Sequence, residues 1–187
     1  MSNLFLGNSQ RTIFKSYNTI HEFLPFMPSI NIQKVTTEQE FEQLFSLILA
    51  LAEFEELPPP NNEAKLRLKN DCLSSAPRFE AFLAFSDSLA VAYAIILETY
   101  SSFLAKPTLY LEDIFVLPEY RRKKIGEQFF SFLASLANKK NCGRMEWCVL
   151  DWNIHAQNFY RKFGATHLKE WHYYRLTEED LKKMFAR

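Results

Sequence analysis

The feature that most constrains this chain is the stretch from Leu109 to Gly126, Leu-Tyr-Leu-Glu-Asp-Ile-Phe-Val-Leu-Pro-Glu-Tyr-Arg-Arg-Lys-Lys-Ile-Gly. Its first half is a largely apolar run of strand-forming residues, closed by Pro118. Its second half sets Arg121, Arg122, Lys123 and Lys124 directly ahead of Ile125, Phe129, Phe132, Leu133 and Leu136, which recur at helical spacing. A strand therefore runs through a basic loop into a helix. The first N–H groups of a helix are unpaired and carry partial positive charge, so such a junction receives phosphate. Gly126, one of only 4 glycines, permits close approach of a ligand to the backbone. Alone the cluster is a weak signal, because four adjacent cations are also a common solvated surface.

The rest of the chain supplies the elements around this junction. Ile30–Val35 alternates like a first strand. Thr37 and Glu40 form a capping box, and Phe41, Leu44, Phe45, Ile48 and Leu51 carry a helix to about Phe54. Pro58, Pro59 and Pro60 stop it, and Glu63–Leu73 supports a second helix. Arg78–Phe85 and Leu89–Thr99 read as an antiparallel hairpin, and Thr108–Val116 as the next strand. The helix opened by the basic loop ends near Asn141–Gly143, and Arg144–Leu150 is a strand. Ala156–Phe163 is a short helix stopped by Gly164, Thr166–Leu176 holds one or two strands, and Thr177 with Asp180 caps a last helix. The expected fold class is α/β in the mixed α+β sense, a mixed sheet flanked by helices.

With 187 residues the chain fits one domain, and 18 Phe, 8 Tyr and 3 Trp can build its core. The boundaries expected are an N-terminal extension over 1–29, partly ordered at best, and a folded domain over 30–187. Lys+Arg and Asp+Glu are equal at 22 each, so no global field draws a nucleic acid or an anionic membrane. No apolar run reaches the roughly 18 residues of a membrane span. Cys72, Cys142 and Cys148 lack metal-ligand spacing, as do His155, His167 and His172. Reduced thiols, a cytoplasmic location and no metal are the expectation.

Three motifs together, Leu109–Val116, Trp147–Asn153 (Trp-Cys-Val-Leu-Asp-Trp-Asn) and Asn158–Ala165 (Asn-Phe-Tyr-Arg-Lys-Phe-Gly-Ala), resemble the GCN5-related N-acetyltransferase superfamily. Within it the chain looks like the diamine (spermidine/spermine) and thialysine acetyltransferase branch, from about Ile30 to the end. The superfamily's pyrophosphate loop has Gln or Arg, then Gly three residues on, then Gly or Ala two further. Arg121 and Gly126 match, whereas Lys124 stands where the first glycine is usual. The resemblance implies the acyl-CoA N-acyltransferase fold, in which the strands ending near Val116 and starting near Arg144 splay apart. Acetyl-CoA, the implied co-substrate, would lay its pantetheine against the backbone of Ile114, Phe115 and Val116 like an added strand. Its pyrophosphate would meet Arg121, Arg122, Lys123, Lys124, Ile125 and Gly126.

Acyl transfer needs a neutral amine, and an alkylammonium holds its proton up to a pKa of about 10.4, so a base must take it. Glu112, a charge among apolar strand neighbours, is the base candidate; a strand-end salt bridge is its structural alternative. By the resemblance, the branch keeps its water-relayed base in this Leu-Glu-Asp motif. Alternation turns Asp113 to the opposite face unless a bulge intervenes, with a substrate-amine or a structural role. Tyr160 matches the family's general-acid tyrosine, although periodicity alone favours packing with Phe159 and Phe163. Asn153 caps its helix and, by resemblance, contacts the pantetheine. Glu55 aligns with a substrate-facing carboxylate of the branch.

The expected activity is acetyl transfer from acetyl-CoA to a primary amine of a small di- or polyamine or an amino-acid-like substrate. The alternatives are a protein amine as acceptor and a non-catalytic acyl-CoA-binding module. Relatives in the branch are commonly homodimers joined through C-terminal strands, for which Trp171, Tyr173 and Tyr174 are candidates.

Overall fold

A computed structural model describes residues 30–186, so the expected extension over 1–29 lies outside the described residues. The elements follow in the order β1 (Asn31–Lys34), α1 (Glu38–Phe54), α2 (Asn62–Leu73), β2 (Glu80–Ser86), β3 (Leu89–Ser101), β4 (Lys106–Val116), α3 (Ile125–Lys139), β5 (Arg144–Trp147), α4 (Ile154–Lys162) and α5 (Glu178–Phe185). The five strands form one sheet in sequence order. β1 to β4 are antiparallel, and β5 joins β4 in parallel after the α3 crossover. This is the mixed α/β architecture that the element order implies.

The sheet is buried on both faces, which is why its central strands are apolar throughout instead of alternating with polar residues. In β2, Ala81, Leu83 and Phe85 pack toward α1 and α2, while Phe82 and Ala84 pack toward α3. Tyr93 and Ile95 of β3 continue the first layer, and Ala92, Ala94 and Ile96 the second. α1 opens on the expected capping box: Glu40 N–H donates to Thr37 Oγ1 at 3.2 Å, and Thr37 N–H to Glu40 Oε2 at 2.9 Å. A second capping box, Thr177 with Asp180, opens α5.

Two expectations need correction. The strand read as Arg144–Leu150 ends at Trp147, and Val149 and Leu150 are exposed. No strand forms over Thr166–Leu176; Trp171 and Tyr174 stand 79% and 87% exposed. An alternating pattern fixes which face a strand would bury, but not that a partner strand lies within reach.

Candidate active site

β4 and β5 are paired only from Thr108↔Arg144 to Leu111↔Trp147, while β4 itself continues to Val116. Beyond Leu111 the two strands part, and one edge of β4 is left without a strand. Leu117 N–H donates to Val91 O on β3 at 3.0 Å. By the two-residue period of a strand, the backbone groups of Ile114 and Val116 therefore point the other way, into the gap. Phe115 instead sends its ring into the core under α1.

The mouth of α3 faces the end of this gap. Arg122 and Lys124 are both left-handed, with φ of 62° and 60°. Lys124, the N-cap residue, makes no side-chain cap bond, so no side chain of its own occupies the leading N–H groups of α3. Arg122, Lys123 and Lys124 are exposed around these donors, and Ile125 is buried beneath them. Gln128, in the same helix, keeps a buried Nε2 without an acceptor among the described residues. Arg121 is engaged differently: its Nε donates to Val116 O at 3.0 Å, and its guanidinium lies 4.6 Å from the Phe54 ring centroid and 5.5 Å from that of Phe115. It ties the loop to β4 and α1. A Cβ at Gly126 would meet Phe159 Cε2 at 3.6 Å and Val116 Cγ2 at 3.9 Å, ordinary contacts, so alanine fits there too. An open strand edge leading to helix donors that no side chain caps, ringed by cations, fits a phosphorylated pantetheine arm.

α4 closes the other side of the gap. Asn153 caps it, accepting from Ala156 N–H at 3.0 Å. Tyr160 is packed between Trp147 and Phe130, with ring centroids at 4.9 and 5.7 Å. Burial, with the nearby charge of Asp113, pushes its phenol up to about 12. The aromatic packing expected from periodicity is therefore present, and the hydroxyl still lies within the electrostatic reach of Asp113.

On the opposite face of the sheet is a cavity of about 450 Å³ with both Glu112 and Asp113 in its wall. Their shared side results from a β-bulge: Ile95 pairs with Asp113 and Ile96 with Leu111, leaving Glu112 as the extra residue. Leu111 and Ile114, three residues apart, thus both belong to the α3 layer. Simple alternation, which separates the two carboxylates, does not hold here. Glu112 is exposed, whereas Asp113 is largely enclosed and accepts a hydrogen bond from the Tyr93 hydroxyl at 3.3 Å. Burial first, and then the charge of Glu112, raise the Asp113 carboxyl to about 6 despite the Tyr93 bond. Glu55, at the C-cap of α1, is itself raised by burial and adds its charge to Asp113. The structure thus brings Glu55, Glu112 and Asp113 to one side of the sheet, with Tyr160 near Asp113. Tyr93 was missed by sequence reasoning. Its signal was a lone hydroxyl in the apolar run Val91–Ile96, where a buried polar group needs a partner.

A sheet that opens beside a phosphate-receiving helix mouth, with a carboxylate-lined cavity against the strand that bounds the gap, defines the class of acyl-CoA-dependent N-acyltransferases. Residues 42–165 match the model of the acetyltransferase (GNAT) family, and the chain belongs to that family. It is accordingly an acetyl-CoA-dependent N-acetyltransferase.

Among curated proteins, it is 31% identical to the thialysine N-epsilon-acetyltransferase of Mus musculus over 161 residues, covering 80% of this chain and 94% of the mouse protein. It is 42% identical to the L-ornithine N5-acetyltransferase of Arabidopsis thaliana over 107 residues, 56% of this chain and 47% of the plant protein. The match thus spans about half of the plant enzyme's length. Among solved structures, an integron cassette protein of V. cholerae superposes with a TM-score of 0.73 at 23% identity, covering 85% of this chain and 99% of that one. An aminoglycoside N-acetyltransferase in complex with CoA gives 0.65 at 22%, covering 79% and 94%. These two likenesses concern the fold. Among the described residues no group of three or more potential ligands could hold a metal, and no helix is long and apolar enough to cross a membrane.

Proposed function

We propose that this enzyme acetylates a primary amine of a small di- or polyamine or amino-acid-like substrate, held in the cavity before Glu112 and Asp113. The observation that carries the reading is the bulge at Glu112, which turns two adjacent carboxylates into one cavity beside the open edge of β4. The amines in the names of the mouse and plant relatives, thialysine and ornithine, support a small acceptor. So does the cavity's size, which suits a small molecule better than a folded protein's lysine.

In this reading the chain's own residues do four things. The open backbone of Ile114 and the N–H of Val116, the donors at Ile125 and Gly126 on the left-handed turn set by Lys124, and the charges of Arg122 and Lys123 hold acetyl-CoA, which supplies the activated acetyl group. Phe115 and Arg121 brace that site, and Asn153 fixes the start of α4 beside it. Holding thioester and amine together removes much of the entropic barrier. Asp113, with Glu55 behind it, holds the incoming ammonium. Glu112, solvent-connected at the mouth, takes the proton through water. Tyr160 offers its hydroxyl to the departing thiolate. With a phenol near 12 and a thiol near about 8.5, full proton transfer would be uphill by roughly 5 kcal/mol, so Tyr160 acts by hydrogen-bond donation.

We further propose that 30–187 is the catalytic domain, that 1–29 is an extension outside it, that the enzyme is cytoplasmic, and that two copies associate through the segment carrying Trp171, Tyr173 and Tyr174. The test of the activity is thiol release from acetyl-CoA across polyamines, lysine analogues and peptides. Release with small amines is expected. Release with peptides alone would shift the acceptor to protein, and CoA binding without release would make the chain a binding module.

A further inference from the structure

The cavity before Glu112 and Asp113 is not acidic throughout. Its wall passes from these carboxylates across apolar side chains of α1, α2 and β3 to Phe79 and Arg78, just ahead of β2. It is therefore bipolar, anionic on β4 and cationic at its far rim, with a hydrocarbon-lined span between.

Arg78 is held there by one edge only. Its backbone N–H donates to Asp71 O at 3.1 Å, and its Nε lies 3.2 Å from Asp71 Oδ1. Its two Nη groups have no partner among the described residues, and the side chain is 81% exposed. A neighbouring cavity of about 240 Å³ shares Arg78 and Phe79 and includes Glu80 and Glu98. Those glutamates are already taken: Glu80 by Lys34 and Lys140, each at 2.7 Å, and Glu98 by Lys140 at 3.1 Å. They do not neutralise the guanidinium, and an exposed one-point contact with Asp71 does so only weakly. What remains is a fork of Nη donors without a partner among the described residues, whose geometry matches a carboxylate.

We propose that Arg78 receives a carboxylate of the acceptor, which makes it a specificity-determining residue. The favoured substrate is then a molecule with a primary amine for Asp113 and Glu112 at one end, a carboxylate for Arg78 at the other, and a short apolar chain between. An all-cationic diamine or polyamine sets a second ammonium against the guanidinium and is disfavoured. This inference rests on the reading of the cavity as the acceptor site.

The experiment compares kcat/KM for ornithine and lysine with their decarboxylated counterparts, putrescine and cadaverine, and with lysinamide, in the wild type and in Arg78→Ala and Arg78→Lys. The wild type should favour the free acids at least tenfold over both controls. Arg78→Ala should lower the acid-to-diamine ratio at least tenfold, chiefly through KM for the acid, and Arg78→Lys should fall between. A wild type that prefers diamines, or a ratio that Arg78→Ala leaves unmoved, overturns the role of Arg78 while leaving acetyl transfer intact. Absence of thiol release with every amine overturns the acetyl-transfer reading and this inference with it. Unchanged melting temperatures in both variants separate an effect on recognition from one on folding.

Discussion

The Tyr93 hydroxyl donates to Asp113 Oδ2 at 3.3 Å, joining a fully buried residue of β3 to the enclosed carboxyl of the β4 bulge. The bond favours the ionised carboxyl against the burial and the Glu112 charge that raise it. Removing it in Tyr93→Phe should move the Asp113 titration upward from about 6. Hydrogen bonds to charged groups contribute roughly 1.5–3 kcal/mol, so a shift of about one pH unit or more is expected. If Asp113 must be ionised to hold the ammonium, kcat/KM rises as pH passes its pKa. The acidic limb of the profile should therefore move up in Tyr93→Phe. An unmoved limb would detach Asp113 from amine binding.

Asp113 is expected to lower stability where it is needed for function. Its folded pKa, about 6, lies above the ordinary value of 3.8. Between these values the folded protein holds more protons than the unfolded chain, so stability falls as pH rises through that window and stays lower above it. The difference corresponds to about 3 kcal/mol at pH 8. Asp113→Asn keeps an oxygen for Tyr93 and removes the charge. It should raise the melting temperature by several degrees at pH 8, leave it nearly unchanged at pH 4, and erase the acidic limb of kcat/KM. Equal melting curves at both pH values would show that the carboxyl titrates normally.

Glu112 and Tyr160 should separate in magnitude. A positioned base contributes typically 10²–10⁴-fold, so Glu112→Gln should lower kcat by roughly that factor. A hydrogen bond to a developing thiolate contributes less, and Tyr160→Phe should cost roughly 10–100-fold. Neither should change the affinity for acetyl-CoA much, which calorimetry reads independently of turnover. Near wild-type rates in both variants would remove the acid–base assignment. A loss in Tyr160→Phe as large as in Glu112→Gln would restore the tyrosine as a full proton donor.

What the sequence made legible follows from which interactions are local. The capping boxes at Thr37 and Thr177 are spelled out within four residues, and the two apolar layers of β2 follow from the run Ala81–Phe85. The site was legible in its parts, since the strand, the basic loop and the short helix are adjacent in the chain. Its side-to-side arrangement was not. Whether Asp113 faces with or against Glu112 depends on an extra residue in the β3–β4 register, a property of the pair of strands and not of either one. The end of β5 at Trp147 is likewise a property of the pair, since the two strands part beyond Leu111 while β4 runs on to Val116. The loop pattern picks out Arg121, but its bracing of the loop through Val116 O and the rings of Phe115 and of Phe54, the last distant in sequence, shows only in three dimensions.

Lys124 is where sequence and backbone disagree most sharply, and it supports the last prediction. At φ 60° it occupies a conformation that costs a non-glycine residue roughly 1–2 kcal/mol, at the position where the resemblance expects glycine. Glycine removes that strain but adds freedom to the unfolded chain, so the net gain from Lys124→Gly is about 0.5–1 kcal/mol. The leading N–H groups of α3 do the binding in this account, and their placement depends on the left-handed turn rather than on the amine above it. Lys124→Gly should therefore melt slightly higher and bind acetyl-CoA as well as the wild type or better. Lys124→Ala, which loses the amine and keeps most of the strain, should bind no better. If calorimetry instead shows both variants losing affinity alike and steeply, the Lys124 ammonium is itself a phosphate ligand, and the strained backbone is the cost of presenting it.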